Sequence, residues 1–246
     1  MPFQLPRGLS FTWFGHSTFL VTTPQGKRIL FDPFLTGNPS TPADKKDPGP
    51  VDLILVTHGH GDHIGDLVPV AQKTGAPIVA IPEIVGYLKK KGIDSGKLIP
   101  VNKGGTVHPE GIGIAVTMTT AFHSGGIQDG DQTIYGGEPA GFVVTLEDGF
   151  AFYNAGDTCV FSDMGLIAEL YQPRLALLPI GDCYTMGPKE AARAAKFLTT
   201  VEAIIPMHYG TFPVLTGTPE ALRAELAKIG SATEVLAMTP GQTLGG

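Results

Sequence analysis

Cysteine is nearly absent: among 246 residues only Cys159 and Cys183 occur, far apart and without C-x-x-C spacing. That excludes a disulfide scaffold and a thiolate zinc ribbon, and reduced, partly buried thiols are expected. Charge is scarce as well. Asp, Glu, Lys and Arg make up 16% of the chain and leave a formal charge of −6, which argues against a broad surface for nucleic acid or anionic membrane. No apolar run approaches the 18 or so residues of a membrane span. The opening "MPFQLPRGLSFTWFGHS" is broken by Pro2, Pro6, Gly8 and Gly15 and reads as neither export signal nor anchor, so a cytoplasmic protein is expected.

What the chain has is apolar mass and a recurrent pattern. With 42% hydrophobic residues it can bury a large core. Strand-like runs such as "VDLILVTH", "APIVAI", "FAFYNAGD" and "LALLPIGD" are separated by segments with helix grammar. The clearest is "TPEALRAELAKIG", with Thr218 as N-cap, Pro219 in the first turn and Gly230 as the stop. Pro188 opens a second helix, and Gly92 closes a third after a run of lysines. An opening hairpin and no composition break point to one α/β domain over residues 1–246. The Pro- and Gly-rich stretch Pro33 to Pro50 is expected to be a loop walling a site. Internal repeats are not visible.

The chain holds only seven histidines, and "LILVTHGHGDHIGD" crowds His58, His60 and His63 together with Asp62 into one turn. Such crowding gives no structural benefit, whereas imidazole and carboxylate donors without thiolates suit zinc, iron or manganese. Gly59 and Gly61 remove bulk between the donors, so alternate residues can face two ions. Apolar runs end at His58, Asp157, Asp182 and His208, and a fifth ends at His123. Ligand sites in α/β proteins lie at the carboxyl ends of strands, so these distant residues are expected to share one rim. His16 reads either as a hydrogen-bonded hairpin histidine or as a group that supports the ligands or meets substrate, and Asp32 and Asp66 are turn or capping candidates, each also able to hydrogen-bond a ligand histidine and fix its ring. His108 before Pro109 reads as a surface turn, and Asp182 as a turn before the helix at Pro188. The segment from His123 to Gly141 reads as a mobile glycine-rich loop, with Tyr135 able to line a substrate pocket.

In this order "THGHGDH", "AFHSG", "AGDT" and "PMHYG" resemble the ligand set of the metallo-β-lactamase-fold hydrolases. The early "WFGHSTF" and "LFDPFLTGNP", with "PIGDCYTMGP", resemble the branch that includes L-ascorbate-6-phosphate lactonase. The resemblance implies an αββα sandwich of two similar halves. It implies two divalent ions, Zn, Mn or Fe: His58, His60 and His123 on the first, Asp62, His63 and His208 on the second, Asp157 bridging. Asp62 would also orient the attacking hydroxide and accept its proton.

The implied activity is hydrolysis of a small molecule, opening a lactone or ester, with phosphodiester cleavage as the alternative. A metal-binding or sensing protein without turnover is the reading from a different class. Antibiotic cleavage is not expected, because Asp157 stands where a secreted β-lactamase commonly has a cysteine. The chain has no room for the inserted domain of nucleic-acid-processing members. A glyoxalase II-like thioesterase, with an added helical region where only 38 residues follow His208, and a flavin-linked diiron reductase, with an altered first motif and a flavin domain, are not expected. The narrower resemblance is consistent with a homo-oligomer.

Overall fold

A computed structural model describes residues 2–246. The first sheet is built from Ser10–Gly15 (β1), Thr18–Thr22 (β2), Arg28–Phe31 (β3), Leu53–Leu55 (β4), Ile78–Ala80 (β5) and Leu98–Pro100 (β6). Its far edge is the last strand of the chain, Thr243–Gly245 (β16), giving the order β16-β1-β2-β3-β4-β5-β6.

The second sheet comprises Thr106–Val107 (β7), Ala115–Thr120 (β8), Ala140–Thr145 (β11), Ala151–Asn154 (β12), Leu175–Pro179 (β13), Ala203–Met207 (β14) and Glu234–Val235 (β15). Its order is β15-β14-β13-β12-β11-β8-β7. Both sheets join an antiparallel half to a parallel half: β3 to β6 run parallel, as do β12 to β15. The expected similarity of the two halves therefore lies in pairing order, where no repeat of residues betrays it.

Side-chain alternation explains the layers. Along β13, Leu175 and Leu177 enter the core between the sheets, while Ala176 and Leu178 join a separate core on the opposite face. A strand covered on both faces must be apolar at every position, which is why these strands read as continuous hydrophobic runs. The helices Leu67–Thr74 (α2) and Pro82–Lys90 (α3) cover the first sheet through Leu67, Val70, Ile84 and Leu88. Met164–Tyr171 (α4), Pro188–Phe197 (α5) and Pro219–Lys228 (α6) cover the second. The remaining helix, Gly61–Ile64 (α1), is a single turn inside the histidine cluster. The result is an αββα sandwich.

The helix punctuation read from sequence holds. Thr218 Oγ1 accepts the amide of Ala221, Pro219 and Pro188 open their helices, and Gly92 and Gly230 take positive φ. Two expectations need correction. Cys159 and Cys183 are free as expected but exposed rather than partly buried, because each follows a strand-end aspartate into a rim loop. The segment after His123 is also not simply a loop: Gly126–Asp129 (β9) and Gln132–Tyr135 (β10) form a hairpin pairing Ile127 with Ile134. Its two-residue Gly130-Asp131 turn, with Gly130 at φ 61°, carries a Gly-Asp hairpin signal, which the surrounding glycines obscured.

No helix of the described residues is long and apolar enough to cross a membrane.

Candidate metal centre

The carboxyl ends of β4, β8, β12 and β14 deliver His58, His123, Asp157 and His208 to one end of the sandwich. His60 is the N-cap residue of α1, in extended conformation, and the helical turn then carries Asp62 and His63. Gly59 is required here for space: a Cβ at this position would overlap Ile127 of the β9–β10 hairpin. The hairpin therefore packs directly on the histidine turn.

Asp157 is the hub. Its Oδ2 lies 3.0 Å from His208 Nε2, 3.2 Å from His63 Nε2, 3.7 Å from His123 Nε2 and 4.0 Å from His58 Nε2. Its other oxygen is buried without a hydrogen-bond partner. His58 Nε2 faces His60 Nδ1 at 3.0 Å, and Asp62 Oδ2 stands 3.9 Å from His208 Nε2. All seven residues singled out from sequence thus converge. Their donor atoms form compact groups: His58, His60 and His123; His58, His63 and Asp157; and Asp62, His63 and His208 together with His16.

The surrounding residues fix the rings. Asp32 Oδ2 meets His63 Nδ1 at 2.9 Å, and its oxygens also accept the amide and hydroxyl of Thr57 at 2.8 and 2.7 Å. Thr57 Oγ1 lies 3.1 Å from His58 Nδ1, and Ser124 Oγ lies 3.2 Å from His60 Nε2. With Asp32 on Nδ1, His63 keeps Nε2 for the centre; with Ser124 on Nε2, His60 keeps Nδ1. Sequence reasoning missed Thr57 and Ser124, although each is adjacent in the chain to a candidate ligand.

His16 is fully buried, and its Nε2 lies 3.0 Å from Asp62 Oδ2. Its backbone carbonyl accepts both Trp13 Nε1 and the amide of His208. Asp66 meets no histidine. Its carboxylate accepts the amides of Leu35 and Thr36 and so pins the start of the Pro33 to Pro50 loop, whose Phe34 ring lies 5.9 Å from His16. Asp182 accepts the amide of Cys183, as a turn residue does, and His108 is exposed. His16, Asp32, Asp182, Cys183 and His208 all hold positive φ, a cost that non-glycine residues bear here beside the site.

Electrostatics follow from burial and crowding. Burial holds His58 well below the usual imidazole range, and burial likewise lowers His60 and His123, so their lone pairs are free for a ligand. Burial opposes charge on His63, but Asp157 and Asp32 overrule it and push its pKa well up. Burial would raise Asp157, yet His208 and His63 hold it well below the carboxylate range. The buried, unpartnered His63 Nε2 and Asp157 Oδ1 fit a metal ion of the imidazole- and carboxylate-binding kind.

Residues 27–209 match the β-lactamase superfamily domain. Over 239 residues the chain is 54% identical to a UPF0173 metal-dependent hydrolase of Rubrobacter xylanophilus, covering 97% of each. The chain belongs to that family. A UPF0173 metal-dependent hydrolase of Koribacter versatilis is 51% identical over 96% of this chain and 98% of its own. Among solved structures, Igni18, a metallo hydrolase of the archaeon Ignicoccus hospitalis, superposes with a TM-score of 0.83 at 36% identity, covering 96% of this chain and 97% of its own. The UPF0173 fold thus accounts for the sandwich, and its strand ends carry the histidine and aspartate cluster described above.

Proposed function

We propose that this UPF0173 hydrolase opens a lactone or ester of a small molecule at a dinuclear centre. The carrying observation is Asp157, whose one oxygen stands within 4.0 Å of four imidazole nitrogens while the other is buried and unpartnered. A carboxylate so placed suits the space between two cations. His58, His60 and His123 would hold one ion, and Asp62, His63 and His208 the other. Two divalent ions, when bound, bring the pKa of a shared water towards neutrality and polarise the oxygen of the group under attack.

The chain's own residues do the rest. Asp32 and Ser124 orient His63 and His60, so the donor nitrogens need little rearrangement. Asp62 is the most accessible carboxylate of the set, with its side chain 31% exposed, and is placed to orient the attacking water and take its proton. His16 at 3.0 Å holds one Asp62 oxygen in place and leaves the other for that task.

The test is reconstitution of metal-free protein with Mn²⁺ and with Zn²⁺, followed by metal counting and by turnover on matched panels of lactones and phosphodiesters. Two ions per chain and lactone opening are expected, with kcat reduced at least about 100-fold in Asp157→Ala while the circular dichroism spectrum is kept. Phosphodiester cleavage without lactone opening would replace the substrate class. Stoichiometric metal with no turnover on either panel, and a partner bound only in the metal-loaded form, would replace the enzyme by a sensor.

A further inference from the structure

Charge is distributed unevenly around the site. The segments that form its rim, 15–17, 32–42, 56–66, 121–139, 155–163, 180–187 and 208–217, contain no Lys or Arg. They do contain Asp129, Asp131, Glu138, Asp163 and Asp182 besides the site carboxylates. Three lysines beside these segments are engaged: Lys46 donates to the carbonyls of Leu35 and Asn38, Lys91 pairs with Asp129 at 2.7 Å, and Lys103 pairs with Glu138 at 3.1 Å, while Lys189 at the start of α5 is exposed. Carboxylates and a cap stand at the helix starts nearest the loops. A Cβ on Gly187, just before α5, would lie 3.2 Å from Glu190 Oε2 and 3.4 Å from Asp182 Cγ, and Thr218 Oγ1 already caps α6.

The same segments expose apolar side chains. Phe122, next to His123, is 56% exposed, Tyr135 68%, Tyr184 61% and Val214 47%. They are tied to the site by backbone bonds. The amide of Phe122 donates to Thr158 Oγ1 beside Asp157, and Tyr135 pairs with Gly126, three residues after His123. The Tyr184 turn is closed by Asp182 N to Met186 O, and Met186 N reaches Thr158 O. Val214 lies in the loop after His208, whose Phe212 ring is 5.5 Å from His16. The Phe122 ring meets Phe161 edge to face at 5.2 Å, extending the apolar rim.

We infer that this site is specific for uncharged esters or lactones bearing an apolar or aromatic substituent, and that it discriminates against substrates carrying a phosphate away from the scissile bond. The inference rests on the hydrolase reading above and narrows its substrate. Ions bound at the centre would serve the reacting carbonyl. A remote phosphate needs a basic fork or ammonium of its own, and these segments supply none, while Lys91 and Lys103 beside them are already paired with Asp129 and Glu138. A phenyl or alkyl group would instead find exposed aromatic side chains on the same segments. The reaction itself needs only water: its oxygen bonds to the carbonyl carbon, the ring carbon–oxygen bond breaks, and a water proton ends on the departing alkoxide, giving the hydroxy acid.

The experiment compares the metal-loaded protein on a phenyl-substituted δ-lactone and on a δ-lactone carrying a phosphomonoester at the corresponding position. In parallel, equilibrium dialysis measures binding of two unreactive cyclic ketones, one with the phenyl group and one with the phosphate. We expect kcat/KM at least about 100-fold higher for the phenyl lactone and tighter binding of the phenyl ketone. Tyr184→Ala should raise KM for the phenyl lactone about 3- to 10-fold with less effect on kcat, and Tyr184→Arg should narrow the preference over the phosphate-bearing lactone. Equal or better handling of the phosphate-bearing lactone overturns the inference and leaves the hydrolase reading standing. Failure of both lactones is a failure of that reading, and the ketones then still decide which chemistry the rim binds, with tighter phosphate binding overturning the inference.

Discussion

His16 occupies the most constrained position at the site: fully buried, at φ 56°, with one ring nitrogen on Asp62 and the other without a partner. His16→Gln can still donate to Asp62 and should keep most of the activity, whereas His16→Ala should lower kcat about 10- to 100-fold and broaden the pH profile assigned to Asp62. Loss of metal stoichiometry in His16→Ala would instead make it a ligand.

Burial carries His16 down from 6.5 to about 4, with His208 and His63 adding and Asp62 opposing. Between those values the unfolded chain takes up a proton that the folded chain refuses, so stability is full above pH 6.5 and falls as the pH drops towards 4. His58, His60 and His123 act in the same sense; His63, raised by its carboxylates, acts oppositely and only as pH rises above 6.5. Urea unfolding of metal-free protein at pH 7 and pH 5 should show the loss. In His16→Gln the loss should be smaller by about 2 kcal/mol. An unchanged difference would mean that His16 is not the titrating group.

At the scale of elements, the β9–β10 hairpin matters most because Ile127, fully buried, seats it on Gly59. Gly59→Val would drive a side chain into Ile127 and lift either the hairpin or the histidine turn. It should impair metal binding as well as fold stability, read by metal titration and by urea midpoint. Ile127→Ala leaves Gly59 uncovered and should cost about 2 to 4 kcal/mol if the hairpin unfolds with the core, or less if it detaches first. Hydrogen exchange at Ile134 distinguishes the two. The cap of α6 offers a control remote from chemistry: Thr218→Ala should cost about 1 kcal/mol and leave the metal affinity unaltered.

For the whole molecule, metal is expected to act as a clamp between halves, since donors come from α1 beside the first sheet and from β8, β12 and β14 of the second. Ions that bind only the folded chain raise stability with their concentration, by about 2.7 kcal/mol at 100 times Kd. Chelation should therefore lower Tm by several degrees in the wild type and by less in Asp157→Ala. A Tm indifferent to chelator would argue against resident ions.

The sequence by itself determined the candidate donors and their order. The crowded turn from His58 to His63 suits a ligand site, and apolar runs ending at His123, Asp157 and His208 put the remaining candidates at strand ends, where local chain chemistry is decisive. Helix stops at Gly92 and Gly230 and the cap at Thr218 were legible for the same reason. Only the tertiary structure decided which side chains aim the donors: Asp32 is 31 residues from His63, His16 is 46 from Asp62 and Ser124 is 64 from His60, separations that no local pattern encodes. It likewise showed that Asp66 serves a loop rather than a histidine, that the cysteines are exposed and that the glycine-rich segment folds as a hairpin. Burial and cross-chain contact set those outcomes, and both arise when the two sheets close on each other.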